Sequence, residues 1–307
     1  MISTPADIPD LSGTRVVVTG ATSGLGLEAS RMLAVAGADV VLVGRDAFKG
    51  AGVVRQISDL QPSGSVHFEQ IDLASLEAVA TGAARLVAEG KPIDILINNA
   101  GIMAPPKRLA TKDGFEAQFG TNHLAHFALT GHLLPLLRQA AAPRVISVAS
   151  LAALFGRIDF DDLQAERGYQ DMRVYGQSKL ANLLFINELA RRSAAGGWGI
   201  TALAAHPGLS RTSLFKKTPD EMGLADRLGR IFSPLFSQSA ADGALPLVAA
   251  ATDPSARPGD YYGPKDWFGM KGKPGKVRQA GGAADKDVAR RLWHVSEELS
   301  GVIYPTS

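Results

Sequence analysis

The sequence of 307 residues contains no cysteine, which excludes disulfide bonds, thiolate metal ligands and a cysteine nucleophile. It also lacks an excess of charge of either sign, because 32 lysines and arginines stand against 30 acidic residues. A balanced chain carries no strong overall field that would attract nucleic acid or an anionic membrane. We therefore expect a small-molecule partner and no nucleic acid.

Long apolar runs are missing as well. The longest mostly apolar stretch covers residues 146–155 and is much shorter than the roughly 20 residues that cross a bilayer. The opening MISTPADIPD has no basic segment followed by an apolar core, so it does not resemble a secretory signal. These features predict a protein without a membrane span, and the absence of cysteine fits a cytoplasmic location.

Short runs rich in valine and isoleucine alternate with segments of helical periodicity. The predicted strands cover residues 15–19, 39–43, 66–70, 93–97, 144–148 and 200–205, and the predicted helices cover residues 25–35, 76–89, 115–137 and 175–192. Because the strand runs are continuously apolar, both faces of the sheet should be covered, and the helices imply right-handed crossovers between parallel strands. The pattern predicts an α/β fold with a doubly wound parallel sheet.

The strand pattern stops after Pro207. Residues 209–239 mix large apolar side chains with proline and serine, and we interpret them as a helical lid over the substrate. A further helix is predicted at residues 240–251.

The C-terminal part begins with residues 261–264, Tyr-Tyr-Gly-Pro, and continues with a basic, glycine-rich loop at 271–282 and a final helix from Ala284. No linker separates these segments from the rest of the chain. We therefore expect one domain over residues 1–307, with a C-terminal extension at about 265–307.

A glycine-rich segment, TGATSGLG at residues 19–26, follows the first predicted strand and opens the first helix. Glycines let the backbone turn tightly and approach a diphosphate, while the helix N-terminus offers unpaired N–H donors and the positive end of the helix dipole. The predicted contacts are Gly20, Thr22, Ser23, Gly24, Leu25 and Gly26. Glycine-rich turns of this kind also occur for packing alone, so the motif indicates nucleotide binding only together with others.

Arg45 follows the second predicted strand, where the adenosine ribose of a dinucleotide binds. An acidic side chain at this point accepts a hydrogen bond from the ribose 2′-hydroxyl, whereas a basic one pairs with a 2′-phosphate. Arg45 therefore favours NADP(H), with NAD(H) as the alternative cofactor. In another interpretation Arg45 is a solvated surface residue, and Asp46 offsets its charge or caps the next helix.

Asp72 and Leu73 follow the third predicted strand and are candidate cofactor contacts. The Asp72 carboxylate can accept a hydrogen bond from the adenine amino group. Alternatively, it caps the helix that starts near Ser75.

The turns after the fourth and sixth strands are predicted to lie beside the ribose and nicotinamide. The candidate contacts there are Asn99, Ala100, Gly101, Pro207, Gly208, Leu209 and Thr212. Gly101 lets the backbone approach the ligand, and the Thr212 hydroxyl can reach the nicotinamide carboxamide. As loop chemistry alone, both segments would be ordinary turns.

Tyr175 and Lys179 lie four residues apart on a predicted helix, so both side chains rise from one face. A free phenol has a pKa of about 10 and is a weak acid–base group at neutral pH. A neighbouring ammonium stabilises the phenolate and lowers that pKa toward the working range. By itself this spacing is most often an ordinary amphipathic helix, and only the other motifs make it catalytic.

Two more side chains complete the candidate catalytic group. Ser150 follows the fifth strand, and its hydroxyl can donate to a substrate oxygen as negative charge develops there, or cap a turn. Asn122 lies inside a long predicted helix, where asparagine is mildly unfavourable. It can hold a water molecule that links Lys179 to solvent in a kinked helix, or bond to the backbone. We assign no metal to His123 and His126, because they form no His-Glu-x-x-His pair.

Together these motifs resemble the short-chain dehydrogenase/reductase family over nearly the whole chain. Residues 121–130, 175–192 and 261–264 resemble more narrowly the branch that contains retinol dehydrogenases and protochlorophyllide reductases. The resemblance implies a single Rossmann domain with a central sheet of about seven strands. It also implies hydride transfer from one face of the nicotinamide, and a homodimer or homotetramer.

The resemblance assigns a role to each catalytic candidate. It implies Tyr175 as the acid–base group and Lys179 as a contact to the nicotinamide ribose. It further implies that Ser150 polarises the carbonyl and that Asn122 maintains a proton relay. The sequence therefore predicts an NADP(H)-dependent oxidoreductase that acts on a carbonyl or alcohol of a hydrophobic small molecule. The alternative is a nicotinamide-nucleotide-binding sensor or scaffold with little turnover.

Three features depart from the family pattern. The segment between Ser150 and Tyr175 is longer than in many members, Ala149 stands where a second serine is frequent, and Ser210 replaces a usually apolar residue. None of them removes a catalytic side chain.

Overall fold

An eight-stranded sheet lies at the centre of residues 2–210 and 238–306, the part of the chain that the computed structural model describes. Its strands are β1 (Arg15–Thr19), β2 (Asp39–Gly44), β3 (Val66–Gln70), β4 (Ile95–Asn98), β5 (Arg144–Val148), β6 (Thr201–Ala205), β7 (Tyr261–Asp266) and β8 (Lys271–Lys276). The strand order is β3-β2-β1-β4-β5-β6-β7-β8, and all neighbours up to β7 are parallel. The order changes direction between β1 and β4, which confirms the doubly wound Rossmann fold and places a crevice at the carboxyl ends of these strands.

Helices cover both faces of the sheet. They are α1 (Gly24–Val35), α2 (Ala47–Ser58), α3 (Leu76–Ala88), α4 (Ala117–Phe119), α5 (Ala125–Leu137), α6 (Asp171–Gly196), α7 (Ala240–Thr252) and α8 (Lys286–Ser300). Val17 of β1 packs into the core formed with α3, α5, α6 and α8, whereas Val16 and Val18 pack with α1, α2 and α7. Because alternate side chains of one strand are buried on opposite faces, the strand is apolar throughout.

The sheet extends beyond the last strand predicted from the sequence, which corrects two expectations. Strands continue after Pro207, because β7 pairs in parallel with β6. The segment expected to be a basic, glycine-rich loop contains β8, which pairs antiparallel to β7 with Pro274 opposite Pro264. Lysine, glycine and proline are unfavourable in central strands but tolerated at a sheet edge, where one side of the strand has no neighbour to bond.

The turn between β7 and β8 has an uncommon backbone. Trp267, Phe268 and Gly269 have φ angles of 50°, 57° and 82°, all in the left-handed region. This conformation costs about 1 kcal/mol for a residue that carries a Cβ atom. It persists only where the surrounding structure fixes it.

The helix predicted over residues 115–137 is divided, which corrects that expectation. A π-helical turn, Gly120–Leu124, separates α4 from α5 and contains Asn122. Such turns occur frequently at functional sites. Over so few residues their periodicity cannot be distinguished from that of an α-helix, so the sequence indicated one continuous helix.

The C-terminal extension packs against the helical layer. The final helix begins at Lys286, because the Asp285 side chain caps its first N–H groups. Trp293 stacks on Phe185 of α6 with ring centres 5.8 Å apart, and both rings are in the core. Among the helices of the described ranges, none is long and apolar enough to span a membrane.

Candidate active site

The side chains predicted to be catalytic converge at the carboxyl edge of the sheet. Ser150 follows β5, while Tyr175 and Lys179 lie one turn apart on α6 and are buried. The Ser150 hydroxyl lies close enough to the Tyr175 phenol to stabilise its anionic form. The Nζ atom of Lys179 lies 5.7 Å from the centre of the Tyr175 ring. The structure thus brings two hydroxyls and one amine together at this edge of the sheet.

Ser150 caps a turn, which is one of the two roles considered for it. Its Oγ atom accepts a hydrogen bond from the N–H of Ala152 at 3.2 Å and caps the short helical turn Leu151–Phe155. The same hydroxyl lies near the Tyr175 phenol. The cap therefore fixes Ser150 beside the phenol.

The pKa of Tyr175 differs from the sequence expectation. Burial raises the pKa of the phenol, and the nearby Ser150 hydroxyl lowers it by a smaller amount. The net direction is upward, although Lys179 was the reason to expect a lowered value. The Lys179 ammonium is directed elsewhere, since its Nζ atom donates to the carbonyl oxygen of Val148 at 2.9 Å. Tyr175 therefore keeps its proton at neutral pH in this structure.

Asn122 bonds to the backbone, the second of the two interpretations given above. Its Oδ1 atom accepts from the N–H of Ile102 at 2.8 Å, and its Nδ2 atom donates to the Ile102 carbonyl at 3.0 Å. Nδ2 also donates to the Ser178 hydroxyl at 3.0 Å, which in turn donates to the Tyr175 carbonyl. Asn122 thereby connects the turn after β4 to the helix that carries Tyr175 and Lys179.

His126 belongs to the same network, although the sequence assigned it no role. Its Nδ1 atom lies 2.9 Å from the Asn122 carbonyl oxygen, and its Nε2 atom lies 2.9 Å from Oγ1 of Thr19. A carbonyl only accepts, so Nδ1 carries the proton and Nε2 accepts from Thr19. Burial lowers the pKa of His126 to about 4, so the ring is neutral. Its position four residues after Asn122, on a helix of apolar residues, was the signal in the sequence.

Thr19 carries the network to the turn after β4. Its Oγ1 atom accepts from the N–H groups of Asn99 and Ala100 at 2.9 and 3.0 Å. The end of β1, the turn after β4 and the π-helical turn are therefore joined by hydrogen bonds. Among the residues that the structure places, no group of three or more histidine or acidic side chains could hold a metal ion.

The glycine-rich segment forms the turn between β1 and α1. Gly20 and Gly24 have φ angles of 65° and 57°, which favour glycine. A Cβ atom on Gly26 would lie 2.4 Å from the Gly20 carbonyl oxygen and 2.5 Å from Nδ2 of Asn99, so only glycine fits there. Ser23 is the first residue of the turn into α1, but its side chain makes no capping hydrogen bond. The first N–H groups of α1 thus have no side-chain cap.

Comparison with known proteins agrees with this geometry. The sequence profile of the family described as short chain dehydrogenase matches residues 14–223. Retinol dehydrogenase 12 of Mus musculus is 39% identical over 295 residues, which cover 95% of this chain and 88% of that protein. The chain belongs to the short-chain dehydrogenase/reductase family.

Solved structures of other proteins superpose on this fold. A crystal structure of a protein from Mycobacterium paratuberculosis is 38% identical, covers 99% of this chain and 100% of its own, and has a TM-score of 0.81. A short chain dehydrogenase from Burkholderia cenocepacia, crystallised with NADP, is 26% identical, with a TM-score of 0.60 over 79% of this chain and 92% of its own. The comparisons place the chain in the retinol dehydrogenase branch and support binding of a nicotinamide cofactor.

The start of α1 fits the diphosphate of such a cofactor. The helix has 12 residues, enough for a substantial dipole, and its first N–H groups lack a side-chain cap. The tight contact at Gly26 keeps the turn close to β1. In this short-chain dehydrogenase/reductase, an anion is the natural partner for these donors.

At the end of β2 the two charged side chains of the dehydrogenase have different surroundings. The Asp46 carboxylate accepts from the N–H of Lys49 at 3.0 Å and caps α2, as one interpretation of the sequence predicted. Arg45 is exposed, and its guanidinium joins none of the ion pairs among residues 2–210 and 238–306. Arg45 is therefore available to an anion.

Asp72 is engaged at the end of β3. Its carboxylate accepts from the N–H of Ala74 at 3.1 Å and pairs with Lys112 at 3.1 Å. Ser75, not Asp72, caps α3. The Leu73 side chain is buried in the core, so it is not available to a ligand at this strand end.

The turn after β6 is packed against the β7–β8 turn. The N–H of Leu209 donates to the Met270 carbonyl at 2.8 Å, and a Cβ atom on Gly208 would lie 2.3 Å from the same oxygen. The Pro207 carbonyl accepts from Gln238 at 2.8 Å. Thr212 lies outside the described residues, as does nearly all of the predicted helical lid.

Lys179 is expected to reduce the stability of the folded enzyme at neutral pH. Burial lowers the pKa of its amine from 10.5 to about 8. Below about pH 8 the Lys179 amine is charged in both the folded and the unfolded protein, so folding carries the full cost of burying the charge. Between the two pKa values the unfolded chain binds more protons than the folded one, so the free energy of unfolding rises with pH. Above 10.5 the amine is neutral in both states, and stability no longer changes with pH on its account.

Lys179→Met should therefore be about 2 kcal/mol more stable than the wild type at neutral pH, and this gain should shrink as the pH approaches 10.5. The substitution leaves no orphaned acceptor, because Asn182 also donates to the Val148 carbonyl, at 3.0 Å. Urea unfolding of both proteins across this pH range measures the difference, with Lys91→Met at an exposed position as the control. A methionine variant less stable than the wild type at neutral pH would contradict the assignment.

Proposed function

We propose that this protein is an NADP(H)-dependent oxidoreductase that transfers a hydride between nicotinamide and a carbonyl or alcohol carbon of a hydrophobic small molecule. One observation carries the proposal. The Ser150 hydroxyl lies near the Tyr175 phenol, and the buried amine of Lys179 lies 5.7 Å from the centre of the Tyr175 ring. Two adjacent hydroxyls can bind one carbonyl oxygen, and the nearby cation can stabilise one of them as an anion.

In the reducing direction each side chain has one task. A bound nicotinamide supplies the hydride, which adds to the carbonyl carbon as the π bond to oxygen breaks. Ser150 donates a hydrogen bond to that oxygen while negative charge develops on it. Tyr175, whose raised pKa keeps it protonated, transfers its proton to the oxygen and becomes a phenolate. Lys179 in its ammonium form stabilises the phenolate, and a pKa of about 8 lets it exchange a proton near neutral pH.

The same proposal assigns the cofactor contacts. The residues that would hold it are Gly20, Thr22, Ser23, Gly24, Leu25 and Gly26 at the diphosphate, Arg45, Asp72 and Leu73 at the adenosine, and Asn99, Ala100, Gly101, Tyr175, Lys179, Pro207, Gly208, Leu209 and Thr212 at the nicotinamide end. A Cβ atom on Gly101 would lie 3.0 Å from Oδ1 of Asn122 and 3.5 Å from Nζ of Lys179. A glycine there lets the backbone lie beside the catalytic amine.

Arg45→Ala is expected to lower kcat/KM with NADPH by about 10- to 100-fold and to change kcat/KM with NADH little. The reason is the loss of a charge-assisted bond to the 2′-phosphate, worth about 1.5–3 kcal/mol. Steady-state kinetics with both cofactors measures the ratio of kcat/KM with NADPH to kcat/KM with NADH. Arg55→Ala, at an exposed position on helix α2, which follows Arg45 in the chain, is the matched control. An unchanged preference for NADPH in Arg45→Ala would discard the assignment.

A hydrophobic substrate is supported from two directions. Leu154 and Phe155 are exposed in the turn that begins after Ser150, although large apolar side chains are usually buried. The relative Retinol dehydrogenase 12 is named for retinol, a largely apolar alcohol. Both features favour an apolar substrate beside the catalytic hydroxyls.

The proposed activity is tested by following the nicotinamide absorbance during incubation with NADPH and a panel of aldehydes, ketones and enones. We expect NADPH consumption, with kcat/KM increasing along a series of longer apolar chains. If the wild-type protein binds NADPH but consumes it with no member of the panel, the sensor or scaffold function replaces the enzymatic one.

A further inference from the structure

The turn between β7 and β8 presents two adjacent aromatic side chains. Phe268 is 96% exposed and Trp267 is 61% exposed. Both have left-handed backbone conformations, which residues with a Cβ atom rarely adopt. A large apolar side chain held at the tip of a hairpin in this way usually marks an interaction surface.

Lysines flank these two aromatic residues along the hairpin. Lys265 precedes them on β7, and Lys271 and Lys273 follow them on β8, all three with exposed side chains. None of the three joins an ion pair with another described residue, and Asp266 is the one acidic residue between Lys265 and Lys273. The whole chain has a formal net charge of only +2, so this positive charge is a local feature.

The turn adjoins the candidate active site. The Met270 carbonyl accepts from Leu209, in the segment proposed to contact the nicotinamide. A Cβ atom on Gly269 would lie 3.4 Å from Cδ2 of Leu151, the residue after Ser150. A surface that contacts the aromatic tip would therefore lie beside the catalytic hydroxyls.

We propose that the tip of the β7–β8 hairpin, Trp267 and Phe268 with Lys265, Lys271 and Lys273, docks on an anionic lipid surface. Aromatic rings are favourable at the interface between headgroups and acyl chains, and lysines beside them attract anionic headgroups. A protein partner is less favoured, because interface cores are depleted in lysine and this tip carries three. Docking of this kind would bring an apolar substrate dissolved in the lipid close to Ser150 and Tyr175.

Tryptophan fluorescence of the full chain tests the proposal without any turnover. The protein has three tryptophans, and Trp198 and Trp293 are buried, so a change of environment on docking reports on Trp267. The protein is titrated with phosphatidylcholine vesicles with and without phosphatidylserine. We expect a shift of the emission to shorter wavelength and co-sedimentation, both stronger with phosphatidylserine and reduced by high salt.

Two kinds of variant locate the surface. Phe268→Asn keeps a residue that tolerates the left-handed conformation and should weaken vesicle binding about 10-fold or more. Phe48→Asn, which removes a Phe that is 85% exposed on α2, should leave binding unchanged. The double substitution of Lys271 and Lys273 to Gln should also weaken binding about 10-fold, whereas the same change at the exposed Lys91 and Lys286 should not.

Three results would overturn the proposal. The first is no binding to either kind of vesicle. The second is equal binding by the wild type and Phe268→Asn, with circular dichroism showing that both are folded. The third is a shift of the tryptophan emission that occurs without vesicles, grows with protein concentration and disappears in Phe268→Asn. This result would mean that the tip contacts a second copy of the chain. None of these results affects the proposed hydride transfer, which is measured with soluble carbonyls and NADPH.

Discussion

Tyr175→Phe should lower kcat by about 1,000-fold, because the substitution removes one oxygen atom and with it the proton donor. Phe fills nearly the same volume in the buried site, so the fold and the packing of α6 should be retained. The Ser150 hydroxyl remains in place and can still bind a carbonyl oxygen, but the phenol that would protonate that oxygen is gone. The expected signature is a loss in kcat with little change in the dissociation constant for NADPH, measured by steady-state kinetics and fluorescence titration.

Tyr262→Phe is the matched control for this experiment. Its hydroxyl donates to Oδ2 of Asp253 at 3.0 Å, on the face of the sheet opposite α6. Removing it should destabilise the fold by about 1 kcal/mol and change kcat less than about 3-fold. Retention of more than about a tenth of the wild-type kcat by Tyr175→Phe would reject Tyr175 as the proton donor, whatever its effect on stability.

The central strands and the turns at their ends could be predicted because each depends on a local rule. Val16, Val17 and Val18 are all apolar since both faces of β1 are covered, and this produces a continuous run in the sequence. A glycine-rich segment directly after β1 lies at the carboxyl edge of a parallel sheet, and this position does not depend on the rest of the sequence. The predicted catalytic side chains lie at the same edge, so the order of the strands in the sheet brings them together.

The edge of the sheet and the π-helical turn depend on contacts that are distant in sequence. The β8 segment has lysine, glycine and proline, and it becomes a strand only because β7 offers an unpaired edge. Asn122 is held in the π-helical turn by Ile102, 20 residues earlier. The local periodicity of these segments gives no information on either distant partner. The sequence therefore predicted a loop in place of β8 and one continuous helix in place of the divided one.

The network of His126 shows the same limit at the level of single side chains. A histidine on an apolar helix is most often a core residue, and the sequence contains nothing that joins it to Thr19, 107 residues away. Its tautomer follows only when the carbonyl of Asn122 is known to be its partner. The same limit applies to the pKa of Tyr175, because the direction of its shift depends on burial by the whole fold and not on the spacing to Lys179.

Gly26→Ala should abolish NADPH binding and destabilise the fold by about 3 kcal/mol. The added methyl group would lie 2.4 Å from the Gly20 carbonyl oxygen, a backbone atom that cannot rotate away. It would also lie 2.5 Å from Nδ2 of Asn99, which donates to the Thr19 carbonyl at 2.8 Å. Relief therefore requires α1 to move away from β1 or the turn after β4 to shift, and either movement displaces the N–H donors proposed to bind the diphosphate.

Gly52→Ala separates this close contact from the general effect of adding a methyl group to a helical glycine. Gly52 lies in α2 with nothing within 4 Å of its Cβ position, so the substitution should stabilise the protein by about 1 kcal/mol and leave NADPH binding intact. Urea unfolding and NADPH titration of both variants measure the two effects. If Gly26→Ala bound NADPH within about 3-fold of the wild type, the backbone at this turn would not be the diphosphate site, because that site requires the approach that the methyl group blocks.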